Sequence, residues 1–150
     1  MPELSFAPMD ESGFGMLEEW FRDDELSRWV SRPTPEWLGY VRCTPGVFAW
    51  MVFETGSAIG HIQMDVATEA GARIGYVGFL TRPDLRNLGH GRRMLGALAE
   101  QPEASDLDRL VAKVEPDNHA SQRCLLAAGW QRDECGPDED GFHTYVRAPE

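Results

Sequence analysis

Lysine is nearly missing from this sequence: Lys113 is the only one in 150 residues. A Walker-type phosphate loop needs a lysine directly after its second glycine, and Lys113 lies far from the chain's glycine-rich turn, so that chemistry is excluded. Cysteine is scarce too. Cys43, Cys124 and Cys135 are odd in number and widely spaced, which suits free thiols in a reducing cytoplasm rather than a disulfide framework. No two close Cys/His pairs occur, so no structural zinc site is expected and no residue is assigned to a metal. No apolar run approaches the ~20 residues that span a bilayer. The opening Met-Pro-Glu-Leu-Ser lacks a basic then apolar leader, so a cytoplasmic protein with no membrane partner is expected. With a net charge of −11 there is no broad basic face to displace phosphate counterions, which argues against nucleic acid as a partner.

What is present fits one domain spanning 1–150, large enough to bury a real core. Its 42% hydrophobic and 26% charged residues are ordinary for a globular chain. One stretch departs from the acidic background. Between Leu80 and Leu95, Arg82, Arg86, Arg92 and Arg93 stand against Asp84 alone. An apolar run ends there at Leu80, Pro83 stops ladder pairing, and Gly89 and Gly91 lead into a helical pattern. Glycines let the backbone turn tightly and an anion approach closely. Unpaired N–H groups in the next helix's first turn then face that anion, assisted by the helix dipole. A phosphate-bearing cofactor is the expected ligand. A dinucleotide fingerprint is disfavoured, because Met94 stands where the third glycine belongs.

The remaining elements follow from periodicity. Leu4–Ala7 reads as a short strand. Phe14 to Trp29 is helical, with a break near Asp23-Asp24, and Glu36–Val41 continues as a further turn or two. Val47–Phe53 and Ala58–Val66 form a hairpin about Gly56. In its second strand Ile62, Met64 and Val66 share one face, while His61, Gln63 and Asp65 share the other. Ala72–Thr81 is the strand feeding the glycine turn. Leu88, Leu95 and Leu98 then form an apolar helical stripe, and Leu107–Val114 is a strand covered on both faces. Asn118 opens a last helix that turns Cys124, Leu125 and Ala128 inward and closes at Gly129. Trp130–Glu134 and Phe142–Val146 pair as terminal strands around a mobile Gly136–Gly141 loop.

The run Arg86-x-x-Gly89-x-Gly91 between strand and helix resembles the pyrophosphate motif of the GNAT superfamily, the acetyl-CoA-dependent N-acetyltransferases. The element order is similar over nearly the whole chain. Asn118-His-Ala-Ser121, continuing to Gly129-Trp130, resembles the family's Asn-x-x-Ser…Gly-Phe segment, closest to the ribosomal-protein N-terminal acetyltransferases. The resemblance implies an α/β (α+β) fold whose mixed, mostly antiparallel sheet of about six to seven strands is flanked by about four helices, with one splayed strand pair. It implies acetyl-CoA as cofactor and a primary amine, on a small molecule or a protein N-terminus, as acceptor.

By the same resemblance, main-chain donors of Arg86, Asn87, Leu88, Gly89, His90, Gly91 and Arg92 would grip the diphosphate. The strand edge at Phe79, Leu80 and Thr81 would pair with the pantetheine arm, and Asn118 would bond its amides while capping the helix. Gly78 fits a bulge or a close backbone approach beside that edge, and equally a packing position. A tyrosine common in the family's last helix is replaced here by Leu125, which cannot donate a proton. Ser121 is the candidate to protonate the leaving thiolate, with Tyr145 a substitute and a plain helical serine the bland alternative. His61, on a polar stripe of a central strand, is the candidate base, although a structural histidine fits the same position. A non-catalytic CoA-binding module is the rival from another class, and exposed sheet edges leave room for a homodimer.

Overall fold

The computed structural model describes residues 3–148. Five helices start where a short polar side chain or a glycine precedes a helix-forming run. Asp10 accepts from the Gly13 N–H at 2.8 Å and opens α1 (Glu11–Trp20). Asp23 caps α2 (Asp24–Trp29) through the Leu26 N–H, and Thr34 caps α3 (Pro35–Cys43) through the Trp37 N–H. Each such cap satisfies a first-turn donor and is worth ~1 kcal/mol. Gly89 precedes α4 (His90–Leu98), and Asn118 caps α5 (His119–Ala127).

Seven strands complete the fold: β1 (Leu4–Pro8), β2 (Val47–Glu54), β3 (Ser57–Glu69), β4 (Ala72–Thr81), β5 (Arg109–Val114), β6 (Gln131–Arg132) and β7 (His143–Arg147). They form one sheet in the order β1-β2-β3-β4-β5-β7-β6. Every pairing is antiparallel except β4 with β5. Two-residue turns at Thr55-Gly56 and Ala70-Gly71, all four residues at positive φ, match the twist of the hairpins they close.

The alternation of β3 decides what packs where. Ile62 and Met64 are fully buried against Met94, Leu95 and Leu98 of α4 and Leu125 of α5. On the opposite face Ala49, Met51 and Leu80 meet Leu17, Phe21, Leu26 and Val41 of α1–α3. The sheet is thus covered on both sides, and truncating any of the fully buried leucines to alanine costs roughly 2–5 kcal/mol.

The expected architecture holds, with five helices among the described residues where about four were anticipated and four corrections within it. The first helix begins at Glu11 because Asp10 caps it, earlier than the apolar period alone indicated. Leu88 does not join the helical stripe; it lies in the turn before α4 and is 62% exposed. The sheet's irregularity falls at Val52/Phe53, and β3 and β4 run in unbroken register through Gly78. The Gly136–Gly141 loop, read as mobile, is organised by Asp138, whose carboxylate accepts from the Asp140 and Phe142 N–H groups and from Lys113.

Candidate active site

Strands β4 and β5 stay together only where Ile74–Tyr76 face Arg109–Val111. Beyond Tyr76, β4 runs on to Thr81 bonded to β3 alone, and β5 runs on to Val114 bonded to β7. The edge of β4 that faces β5 therefore presents unpaired main-chain donors and acceptors, which must find partners if covered. A cavity of about 270 Å³ occupies the opening. Gly78, Phe79 and Leu80 wall it from β4, and Ala112, Lys113 and Val114 from β5. Asn118 and Ser121 contribute from the start of α5, while Trp29 and Val30 close it from the end of α2. Thr81 lies one residue past this wall, at the end of β4.

The turn after β4 has the backbone geometry that an anion can use. Pro83–Leu85 make a single 3₁₀ turn, and Asn87 and Gly89 both take positive φ, 64° and 85°. Gly89 places the chain at the head of α4 and offers no side chain to cap it. The first-turn N–H groups of α4 are left without a side-chain acceptor, the arrangement in which helix N-termini bind phosphates. Gly91 also serves the packing of the two helices. A Cβ there would stand 2.9 Å from Cys124 Sγ, so its smallness lets α4 and α5 touch.

The arginines are less available than their sequence suggests. Arg82 pairs with Asp84 at 2.7 Å and donates to the Ala58 carbonyl at 2.9 Å. Arg86 donates to Asp23 at 2.5 Å, and Arg93 pairs with Glu54. Asp23, Glu54 and Asp84 are each held below the ordinary carboxylate range, chiefly by these guanidinium partners. Three of the segment's four arginines thus meet carboxylates, and of the four Arg92 has no ion pair among the described residues. What the turn offers an anion is therefore main-chain N–H groups more than side-chain charge.

Of the proposed catalytic residues, the cavity holds two. His61 is 6% exposed and lies on the wall. Its Nδ1 is 2.9 Å from the Trp50 carbonyl oxygen. A carbonyl only accepts, so Nδ1 carries the hydrogen and Nε2 keeps the lone pair. Burial pushes the imidazole pKa down to about 4, which makes it a neutral hydrogen-bond acceptor near pH 7. Ser121 reaches the same wall from the first turn of α5, where its N–H is held by Asn118 Oδ1 at 3.3 Å. Asn118 both caps that helix and lines the cavity. Tyr145 is not on the wall; it is buried in β7 and its hydroxyl donates to Gln122 Oε1 at 2.9 Å.

Part of the site escaped sequence reasoning. A second cavity, about 530 Å³, adjoins the first on the α1–α3 side and is lined by Gln63, Asp65, Tyr76 and Lys113, among others. The polar stripe of β3 supplies its floor. Trp37 Nε1 donates to Gln63 Oε1 at 2.9 Å, Gln63 Nε2 donates to Asp65 Oδ1 at 2.8 Å, and the Tyr40 hydroxyl donates to Asp65 Oδ2 at 3.1 Å. Lys113 is turned to Asp138 Oδ2 and Thr144 Oγ1, both at 3.0 Å. The alternation of His61, Gln63 and Asp65 was the visible signal; the α3 residues that complete the row carry no local one.

The acetyltransferase (GNAT) family signature matches residues 14–130. The uncharacterized N-acetyltransferase YfmK of Bacillus subtilis (strain 168) is 29% identical over 143 residues, which is 94% of each chain. Among solved structures, the aminoglycoside acetyltransferase AAC(6')-Ib in complex with coenzyme A and kanamycin superimposes with a TM-score of 0.79 at 21% identity, over 97% of this chain and 95% of that one. A putative ribosomal-protein-serine acetyltransferase from Vibrio cholerae gives 0.79 at 19% identity, over 99% and 95%. Likeness at that identity speaks for a shared fold. Among the described residues no group of His, Cys, Asp or Glu is arranged to hold a metal, and no helix is long and apolar enough to cross a membrane.

Proposed function

The chain belongs to the acetyltransferase (GNAT) family and is an acetyl-CoA-dependent N-acetyltransferase, and we propose that its acceptor is a primary amine of a small cationic molecule. The observation that carries this reading is the continuity of the opened β4–β5 gap with a pocket floored by Asp65. A thioester lodged in the gap would meet an amine approaching over that floor. Acetyl-CoA supplies the acetyl group as an activated thioester.

The residues present fit that cofactor. The uncapped start of α4 and the Asn87–Gly91 backbone would hold its diphosphate, and the unpaired edge at Phe79 and Leu80 would take the amide-rich arm. The Asn118 side chain lies where that arm would pass. Trp29, Val30, Leu80 and Val114 give the gap apolar walls. His61 Nε2, with its lone pair and depressed pKa, orients an amine or an ordered water rather than storing a proton. Ser121 lines the same cavity, and its Oγ would supply the proton that the leaving thiolate takes up. Tyr145 would need to leave Gln122 to take part.

A protein N-terminus is the competing acceptor, favoured by the Asn118-x-x-Ser121 spacing. Thiol release from acetyl-CoA over a panel of small primary amines and N-terminal peptides decides. Amine-dependent release, faster with cationic small molecules than with peptides, is expected. Tight CoA binding with no release by any amine would instead make the chain a CoA-binding module.

A further inference from the structure

Three register pairs on one face of β3 and β4 run from the first cavity to the second. His61 opposite Leu80 lines only the first, and Asp65 opposite Tyr76 lines only the second. Between them Gln63 stands opposite Gly78, and both residues line both cavities. At that junction one partner has no side chain.

Nothing in the fold asks for glycine there. Gly78 is not among the residues at positive φ, β4 has no register shift at it, and a Cβ built on it would meet no atom within 4 Å. Glycine within a strand weakens it, through chain entropy and lost packing. A locally unfavourable residue without a structural reason marks a position held open for something else.

We propose that Gly78 is a specificity-determining residue. The gap it leaves joins the two cavities, so the part of an acceptor beyond its reacting amine passes across β4 into the second one. Asp65 waits there with one lone-pair direction of each oxygen engaged by Gln63 and Tyr40, and a carboxylate accepts at further sites. Lys113 is neutralised by Asp138. The acceptor class this selects is an elongated amine carrying a second cationic group. The inference rests on the acetyl-transfer reading and deepens it.

The test compares wild type with Gly78→Ala and Gly78→Val, using propylamine, 1,5-diaminopentane, spermidine and kanamycin as acceptors. Coenzyme A affinity and melting temperature are measured alongside. Wild type is expected to prefer the long, doubly charged amines. Gly78→Val is expected to lower kcat/KM for them by about tenfold or more, the scale of a blocked subsite. Propylamine turnover and CoA affinity should stay within about twofold, the melting temperature should hold or rise, and Gly78→Ala should fall between. Equal losses for short and long amines, no loss for either, or a lower melting temperature with lost CoA binding would each overturn the proposal and leave acetyl transfer standing. If wild type binds CoA but no amine releases thiol, the acetyl-transfer reading fails and takes this one with it.

Discussion

Arg86 Nη2 donates to Asp23 Oδ2 at 2.5 Å, and that same oxygen accepts the Leu26 N–H at 2.9 Å. One carboxylate therefore caps α2, whose end walls the cavity, and holds a guanidinium of the turn after β4. Both side chains are about one-third exposed, 31% and 35%, so the pair itself contributes at most ~1 kcal/mol to stability. Its larger effect is to occupy Arg86.

Asp23→Asn keeps a good cap and removes the competing charge. Coenzyme A should then bind a few-fold tighter by calorimetry, as Arg86 becomes available to a diphosphate, with little change in melting temperature. Asp23→Ala should lose ~1 kcal/mol more, the worth of the cap. Weaker CoA binding in the asparagine variant would mean that Asp23 holds Arg86 in place for the cofactor.

His61 makes stability depend on pH in a definite direction. Its folded pKa of about 4 lies below the ordinary 6.5, so between those values the unfolded chain binds the extra proton. The stabilisation is full above pH 6.5 and lost as pH falls toward 4, amounting to on the order of 3 kcal/mol. The carboxylates that arginines hold low, Asp23, Glu54 and Asp84, start from 3.8 to 4.5 and lose their stabilisation in a more acidic window. Urea melts between pH 7 and 5 therefore isolate the histidine. His61→Asn, which can still offer an N–H to the Trp50 carbonyl, should flatten that slope.

Ser121→Ala tests the proton donor. If Oγ supplies the proton, kcat should fall about tenfold or more, the lower reach of acid–base contributions. CoA affinity should stay within about twofold, because the Ser121 N–H, not its hydroxyl, meets Asn118. An unchanged kcat removes Ser121 from the chemistry.

Gly89→Ala places a Cβ at φ +85°, a conformation costing ~1–2 kcal/mol outside glycine. The turn should relax away from that geometry, so CoA should bind about tenfold more weakly while the fold persists, the equivalent of that strain. Intact affinity would show that the turn's shape is not what holds the diphosphate.

The elements that position the site were legible because their signals are local. The alternation of β3, the Pro83 break, and the turn at Gly89 each need only neighbouring residues, and Ala72–Thr81 matched to the residue. What stayed hidden depends on contacts across the chain. Asp23 meets Arg86 across 63 positions, Glu54 meets Arg93 across 39, and Trp37 meets Gln63 across 26. No periodicity encodes such pairings, so the turn looked more positive than it is and the floor of the second cavity went unseen. Leu88 misled for the opposite reason: it has the right spacing but precedes the first turn of α4.

The central claim is that the backbone after Arg86 grips a diphosphate while the thioester sits between the parted ends of β4 and β5. A crystal structure with acetyl-CoA tests it most directly. The account predicts phosphate oxygens against the N–H groups of Asn87–Gly91 and the acetyl carbon beside Leu80 and Ser121. Phosphates bound elsewhere, or β4 and β5 zipped together past Tyr76 with the cofactor outside, would contradict it.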